Sequence, residues 1–133
     1  MAKMLAYVQD ARQAPRVEVA LEGRVRCAGG RESSAKLTNL SSSGVRLEGS
    51  RALVDTILPN HGGGEARRRA ASVELEFTLD GTQAQAPILV RCQSVYVRRI
   101  GRDWFQLGLL YTAIEPASQA RLSGFIRERQ REA

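Results

Sequence analysis

The chain of 133 residues has the length of one domain and can bury a core without staples. Its 20 Lys and Arg outnumber 14 Asp and Glu, a formal net charge of +6, so nucleic acid, anionic lipid, an acidic protein or a small phosphate ligand all match its sign. No apolar run reaches the roughly 18 residues of a membrane span, the first ten residues lack the apolar centre of a secretion signal, and Cys27 and Cys92 show no CxxC spacing. A cytoplasmic single domain over 1–133 with reduced core thiols is expected. The one histidine, His61, has no further His or Cys beside it, which argues against a zinc site or a catalytic base.

Residues 1–16 are predicted to be a flexible N-terminal segment. It contains RQAPR, in which Pro15 fixes its own φ and biases Ala14 toward extended geometry, so Arg12 and Arg16 are expected on a loop, roughly 13 Å apart at about 3.3 Å per residue. From Val17 the apolar phase Val17, Val19, Leu21, Val25 and Cys27 alternates with Glu18, Glu22, Arg24 and Arg26, the pattern of a half-buried strand. Gly29 and Gly30 turn the chain. Two further runs follow, with Ala35 and Leu37 and then Val45 and Leu47 as inward candidates, joined by NLSSSG at 39–44.

Residues 51–71 read as a long loop insertion holding a short helix at 52–58. Val73, Leu75, Phe77 and Leu79 then alternate with polar residues, and Asp80-Gly81 predicts a two-residue type I′ hairpin turn. SVYVRR and WFQLGLLY form another strand pair around 101–103. After Pro116 the period changes: Leu122, Phe125 and Ile126 fall at helical spacing, predicting an amphipathic helix over 116–131 with Pro116 in its first turn. The fold class expected is all-β with a terminal helix, a small antiparallel barrel of six or seven strands with a C-terminal amphipathic helix.

Two motifs carry chemistry. Arg12 and Arg16 form R-x-x-x-R, and Asn39, Ser41 and Gly44 form N-x-S-x-x-G at a strand-to-strand turn, where Asn and Ser bond locally and Gly permits φ > 0. In this order, ahead of this strand pattern, the chain resembles a PilZ domain, the bacterial receptor module for cyclic di-GMP, over about residues 12–126. WFQLGLLY is similar to that family's late glycine-containing strand and Leu122 to Ile126 to its closing helix.

The resemblance implies a non-enzymatic receptor whose ligand is cyclic di-GMP and which needs no cofactor or metal. Guanine offers O6 and N7 as adjacent acceptors for a guanidinium fork, and arginine also stacks on bases and grips phosphate. By similarity Arg12 and Arg16 hold guanine edges and phosphates, Asn39 and Ser41 contact a base and the sugar-phosphate, and Gly44 shapes the turn and leaves room for the ligand. The N-terminal loop is then expected to order on the ligand and to relay the signal to a protein partner. Many family members have a basic residue directly before the first motif arginine; Ala11 stands there, which favours one bound ligand over two. The alternative is a PilZ-fold interaction module of a motility or secretion system that binds no nucleotide. A nucleic-acid-binding barrel fits poorly, because aromatic residues are few and do not interleave with a basic stripe. An enzyme fits least, since no paired carboxylates, Ser/His/Asp set or phosphate-cradling glycine loop is present.

Overall fold

The computed structural model describes residues 15–27, 29–58, 72–79 and 86–132. Their elements in chain order are β1 (Arg16–Cys27), β2 (Glu32–Ser41), β3 (Gly44–Gly49), α1 (Arg51–Ile57), β4 (Ser72–Phe77), β5 (Ile88–Gly101), β6 (Trp104–Ile114) and α2 (Pro116–Glu132). The six strands close into a barrel in the order β1-β2-β3-β6-β5-β4, antiparallel at every seam.

Alternation along each strand decides which side chains fill the barrel. The register sets Val17, Leu40, Val45 and Leu109 in one transverse row and Leu21, Leu37, Leu47 and Leu107 in the next, and all eight are buried. Each such side chain contributes about 1.5–3 kcal/mol by leaving water. Val19, on the expected apolar phase of β1, is only half-buried, because a bulge between Glu18 and Leu21 shifts the strand locally.

The helices complete the core. α1 packs on β1, β2, β3 and β6 through Leu53, Val54 and Ile57. Ser50 caps it, its hydroxyl accepting from the Ala52 amide at 3.3 Å. α2 packs on β1, β2 and β5 through Leu122 and Ile126, with Phe125 half-buried beside them. Pro116 is its first residue, where a missing amide proton costs nothing.

Two expectations need correction. Arg16 is the first residue of β1, so it leaves the flexible segment predicted over 1–16; its pairing with Ser41 carries the ladder one residue beyond Val17 and Leu40 toward the N-terminus. The short helix expected at 52–58 is present as α1 and delivers three apolar side chains to the core; residues 59–71, the rest of the expected loop, lie outside the described residues. A two-residue turn at Asp80-Gly81 would set Phe77 opposite Ala84, but Phe77 faces Ile88; Asp80 and Gly81 themselves lie outside the described residues. Apolar alternation through Leu79 suggested a longer strand than the pairing supports.

Candidate functional site

The Asn39 to Gly44 stretch is the hairpin between β2 and β3, with Leu40 opposite Val45 and Ser42-Ser43 at the bend. The Ser41 hydroxyl organises it. Its Oγ accepts from the Ser43 amide at 3.2 Å and the Gly44 amide at 3.0 Å, donates toward the Gly44 carbonyl at 3.2 Å, and lies 3.3 Å from Ser43 Oγ. Ser41 and Ser43 are both buried. Strand β6 fastens the same bend twice: the Tyr111 amide donates to the Ser43 carbonyl at 3.0 Å and the Tyr111 hydroxyl to the Ser41 carbonyl at 3.1 Å. Burial pushes the Tyr111 phenol above its ordinary pKa, so this donor keeps its proton.

Gly44 is required for a reason other than the one its turn position suggested. Among the described residues only Gly30 has a positive φ. A Cβ on Gly44 would stand 2.5 Å from the Leu109 backbone oxygen, so close approach of β3 to β6 excludes any side chain.

Beside the bend, β1 runs antiparallel to β2 with Arg16 opposite Ser41 and Glu18 opposite Asn39. Since Val17 and Leu40 point inward, Glu18 and Asn39 belong to the outer phase. The outer row continues across the barrel through Arg46 and Gly108 to Tyr96. Asn39 Oδ1 is buried without a hydrogen-bond partner, the one such side-chain atom among the described residues. Its neighbour Arg46 uses Nε on Thr38 Oγ1 at 3.1 Å.

At the far end of this row the Tyr96 ring lies over Gly108: a Cβ there would meet the ring atoms Cε2, Cδ2 and Cζ at 2.1, 2.6 and 2.9 Å. The ring is 44% exposed, and its hydroxyl reaches Gln106 Oε1 at 3.4 Å, an oxygen that also accepts from Arg98 Nη2 at 2.9 Å. The row therefore offers a charged fork, an unpartnered carboxamide oxygen and an aromatic surface. Those groups suit a ligand with bases and anionic oxygens.

Of the motif residues, the fold brings Arg16, Asn39, Ser41 and Gly44 together; Arg12 lies outside the described residues, as does the ordering expected of residues 1–14. Sequence reading missed Tyr96. Counting in strict register from the Gly101–Trp104 pair sets Gly108 opposite Val97, and the bulge between Arg99 and Gly101 moves it to Tyr96. No group of three or more metal-ligating side chains occurs among the described residues.

No family model matches the sequence, and no curated protein matches it. Solved structures do. The chain is similar to the inhibitor of motility MotI (DgrA) of Bacillus subtilis at 16% identity and a TM-score of 0.69, covering 91% of this chain and 52% of that one. It is similar to the PilZ domain of YcgR from Escherichia coli, solved with cyclic di-GMP, at 14% identity and a TM-score of 0.60, covering 91% and 92%. PlzA of Borreliella burgdorferi, solved in complex with cyclic di-GMP, gives 12% identity and a TM-score of 0.60 over 98% of this chain and 57% of that one. The chain thus spans about half the length of MotI and nearly all of the YcgR domain. The barrel has the PilZ domain fold.

Proposed function

We propose that this PilZ-fold chain is a cyclic di-GMP receptor that binds the dinucleotide on the outer row running from Arg16 and Asn39 toward Tyr96 and passes the signal to a protein partner. The observation that carries the reading is the adjacency of Arg16, opposite Ser41, to Asn39, whose buried Oδ1 has no partner among the described residues. A buried carboxamide oxygen left unpaired costs about 1–3 kcal/mol, and a guanine amino group is a donor that would satisfy it. Arg16, with Arg12, holds guanine acceptors or phosphate through the guanidinium fork. Ser41 takes a positioning role: its hydroxyl is committed to the bend, which it holds in the shape that sets Arg16 opposite Ser41 and so diagonal to Asn39. Gly44 serves the same bend through its approach to β6. Tyr96 supplies a stacking surface for a base.

The energies suffice. Hydrogen bonds to charged groups contribute about 1.5–3 kcal/mol each, ordering a side chain costs about 0.5–1.5 kcal/mol, and micromolar binding needs roughly −8 kcal/mol. Three or four good contacts and one stacked base reach that range. The reading includes one ligand per chain, because Ala11 adds no cation to neutralise a second pair of phosphates. Calorimetric titration with cyclic di-GMP tests it: saturable binding near one ligand per chain supports the proposal, and absence of heat and of any thermal stabilisation at millimolar ligand would refute it.

A further inference from the structure

Among the described residues, five large apolar side chains are more than 40% exposed, and four of them, Val95, Tyr96, Ile100 and Trp104, lie within the β5–β6 hairpin. β4 pairs with β5 only as far as Gln93, so from Ser94 onward the described residues pair β5 only with β6, which leaves one edge of the hairpin open; β3 accompanies β6 as far as Phe105, and Ile100 and Trp104 lie beyond it at the projecting end. The open edge and the tip are therefore apolar, whereas the other large apolar side chains among the described residues are mostly enclosed, an arrangement that marks an interaction surface.

The charges around it have one sign left over. Arg98, Arg99 and Arg102 belong to the tip, and Arg51 stands at its base with its guanidinium 5.1 Å from the centre of the Phe105 ring. The two acids nearby, Asp103 and Glu48, are outnumbered two to one by these arginines and accept from neutral donors. Asp103 accepts from the Arg51 amide at 3.2 Å, and Glu48 accepts from the Trp104 indole N–H at 3.0 Å. The Arg102 side chain makes no hydrogen bond or ion pair with another described residue, its backbone oxygen accepting from Arg99 Nη2. We propose that this tip is a docking surface for an anionic lipid bilayer, with Ile100 and Trp104 entering the headgroup region and the arginines meeting lipid phosphate. Tryptophan prefers that depth, where its ring is desolvated and its N–H stays satisfied. Val95 and Ile100 favour a bilayer over nucleic acid, since an aliphatic side chain gives a base no stacking surface. The projection lies on the surface without crossing it, in line with the absence of any sufficiently long apolar helix among the described residues.

Trp104 is the only tryptophan of the chain, so its emission reports this contact alone. The full chain is mixed at low ionic strength with vesicles of phosphatidylcholine alone and of phosphatidylcholine with phosphatidylglycerol, while emission and co-sedimentation are followed. A blue shift and pelleting with the anionic vesicles only, reversed by salt, is expected. Each cation near such a surface changes partition by about fivefold, so Arg102→Glu, a change of two charges, should weaken it about twenty-five-fold. Ile100→Ser should weaken it about fivefold, with a thermal midpoint close to that of the unmodified chain. No shift with anionic vesicles overturns the proposal, as does undiminished binding by both variants. An equal blue shift with a single-stranded oligonucleotide in place of vesicles would reassign the tip to nucleic acid and overturn it as well.

Discussion

The Tyr111 hydroxyl donates to the Ser41 carbonyl oxygen at 3.1 Å, joining β6 to the last residue of β2 across 70 positions of sequence. Ser41 is the residue opposite Arg16, so a buried phenol on the inner side of the wall steadies the point where the arginine motif meets the serine bend. Tyr111→Phe keeps the ring and deletes only the donor, leaving a buried carbonyl short of one bond. A loss of about 1–3 kcal/mol in urea denaturation is expected, with a smaller loss of cyclic di-GMP affinity because the backbone amide bond from Tyr111 to Ser43 survives. Unchanged stability would mean that the hydroxyl is replaceable by water.

Gly44→Ala should be among the more damaging single-methyl changes in the chain. The added carbon would sit 2.5 Å from a backbone oxygen of β6, and neither strand can swing aside as a side chain would. Overpacking of this kind costs about 1–3 kcal/mol. Gly124→Ala, with nothing within 4 Å of the added carbon, serves as the control and should be neutral or stabilising. Equal midpoints for the two variants would remove the close-approach argument.

Much of this architecture was legible because alternation states plainly which side of a strand faces the core: Val17, Leu21 and Val25, then Leu37, Val45 and Leu47, were readable as inward and are buried. What alternation cannot register is an inserted residue. The bulge after Arg99 changes the partner of Gly108 and so concealed Tyr96, and the register that sets Phe77 opposite Ile88 was hidden behind a plausible Asp-Gly turn. Motif spacing showed that Ser41 and Gly44 matter without showing why. Only the three-dimensional contacts reveal a hydroxyl used by two amides and a glycine pressed against Leu109.

Alkaline pH should weaken the fold in a defined window. Burial raises the Cys92 thiol and the Tyr111 phenol above their ordinary values, so the folded state retains protons that the unfolded chain releases. Their contribution is intact below the unfolded values, about 8.5 for a thiol and about 10 for a phenol, and declines as pH rises beyond each. The slope is about 1.4 kcal/mol per pH unit for each group once its unfolded form is ionised. Urea midpoints should fall between pH 8.5 and 10 and more steeply above, with Cys92→Ala removing the first part of the decline. A midpoint that holds steady to pH 10 in the unmodified chain would contradict this direction of dependence.

Arg16→Ala and Ser41→Ala should separate contact from positioning. Arg16 is exposed and ends a strand, so its loss should leave the thermal midpoint nearly unchanged while weakening cyclic di-GMP binding by about 2–4 kcal/mol, roughly 30- to nearly 1,000-fold. Ser41→Ala strips an acceptor from two amides within a buried bend. It should lower stability by about 1–3 kcal/mol as well as affinity. If Ser41→Ala lost affinity with no change in stability, its hydroxyl would be a ligand contact after all.

Tyr96 and Gly108 give the sharpest test of how far the proposed binding row extends. Removing the ring with Tyr96→Ala should cost one stacked base, about 1–3 kcal/mol or roughly 5- to 150-fold in affinity, and Tyr96→Phe should keep most of it. Gly108→Ala should reproduce the loss without touching the ring chemically. Its new methyl would occupy the space of the ring edge, within 2.1 Å of Cε2, and a half-exposed tyrosine yields to solvent more readily than two paired strands separate. The barrel should therefore keep most of its stability while the platform is displaced. Calorimetry on the three variants and the unmodified chain distinguishes the cases. Binding by the unmodified chain that persists at full strength in Tyr96→Ala would confine the site to Arg16, Asn39 and the serine bend, whereas a loss in Tyr96→Ala that Gly108→Ala fails to reproduce would mean that the ring acts from a different position than the one over Gly108.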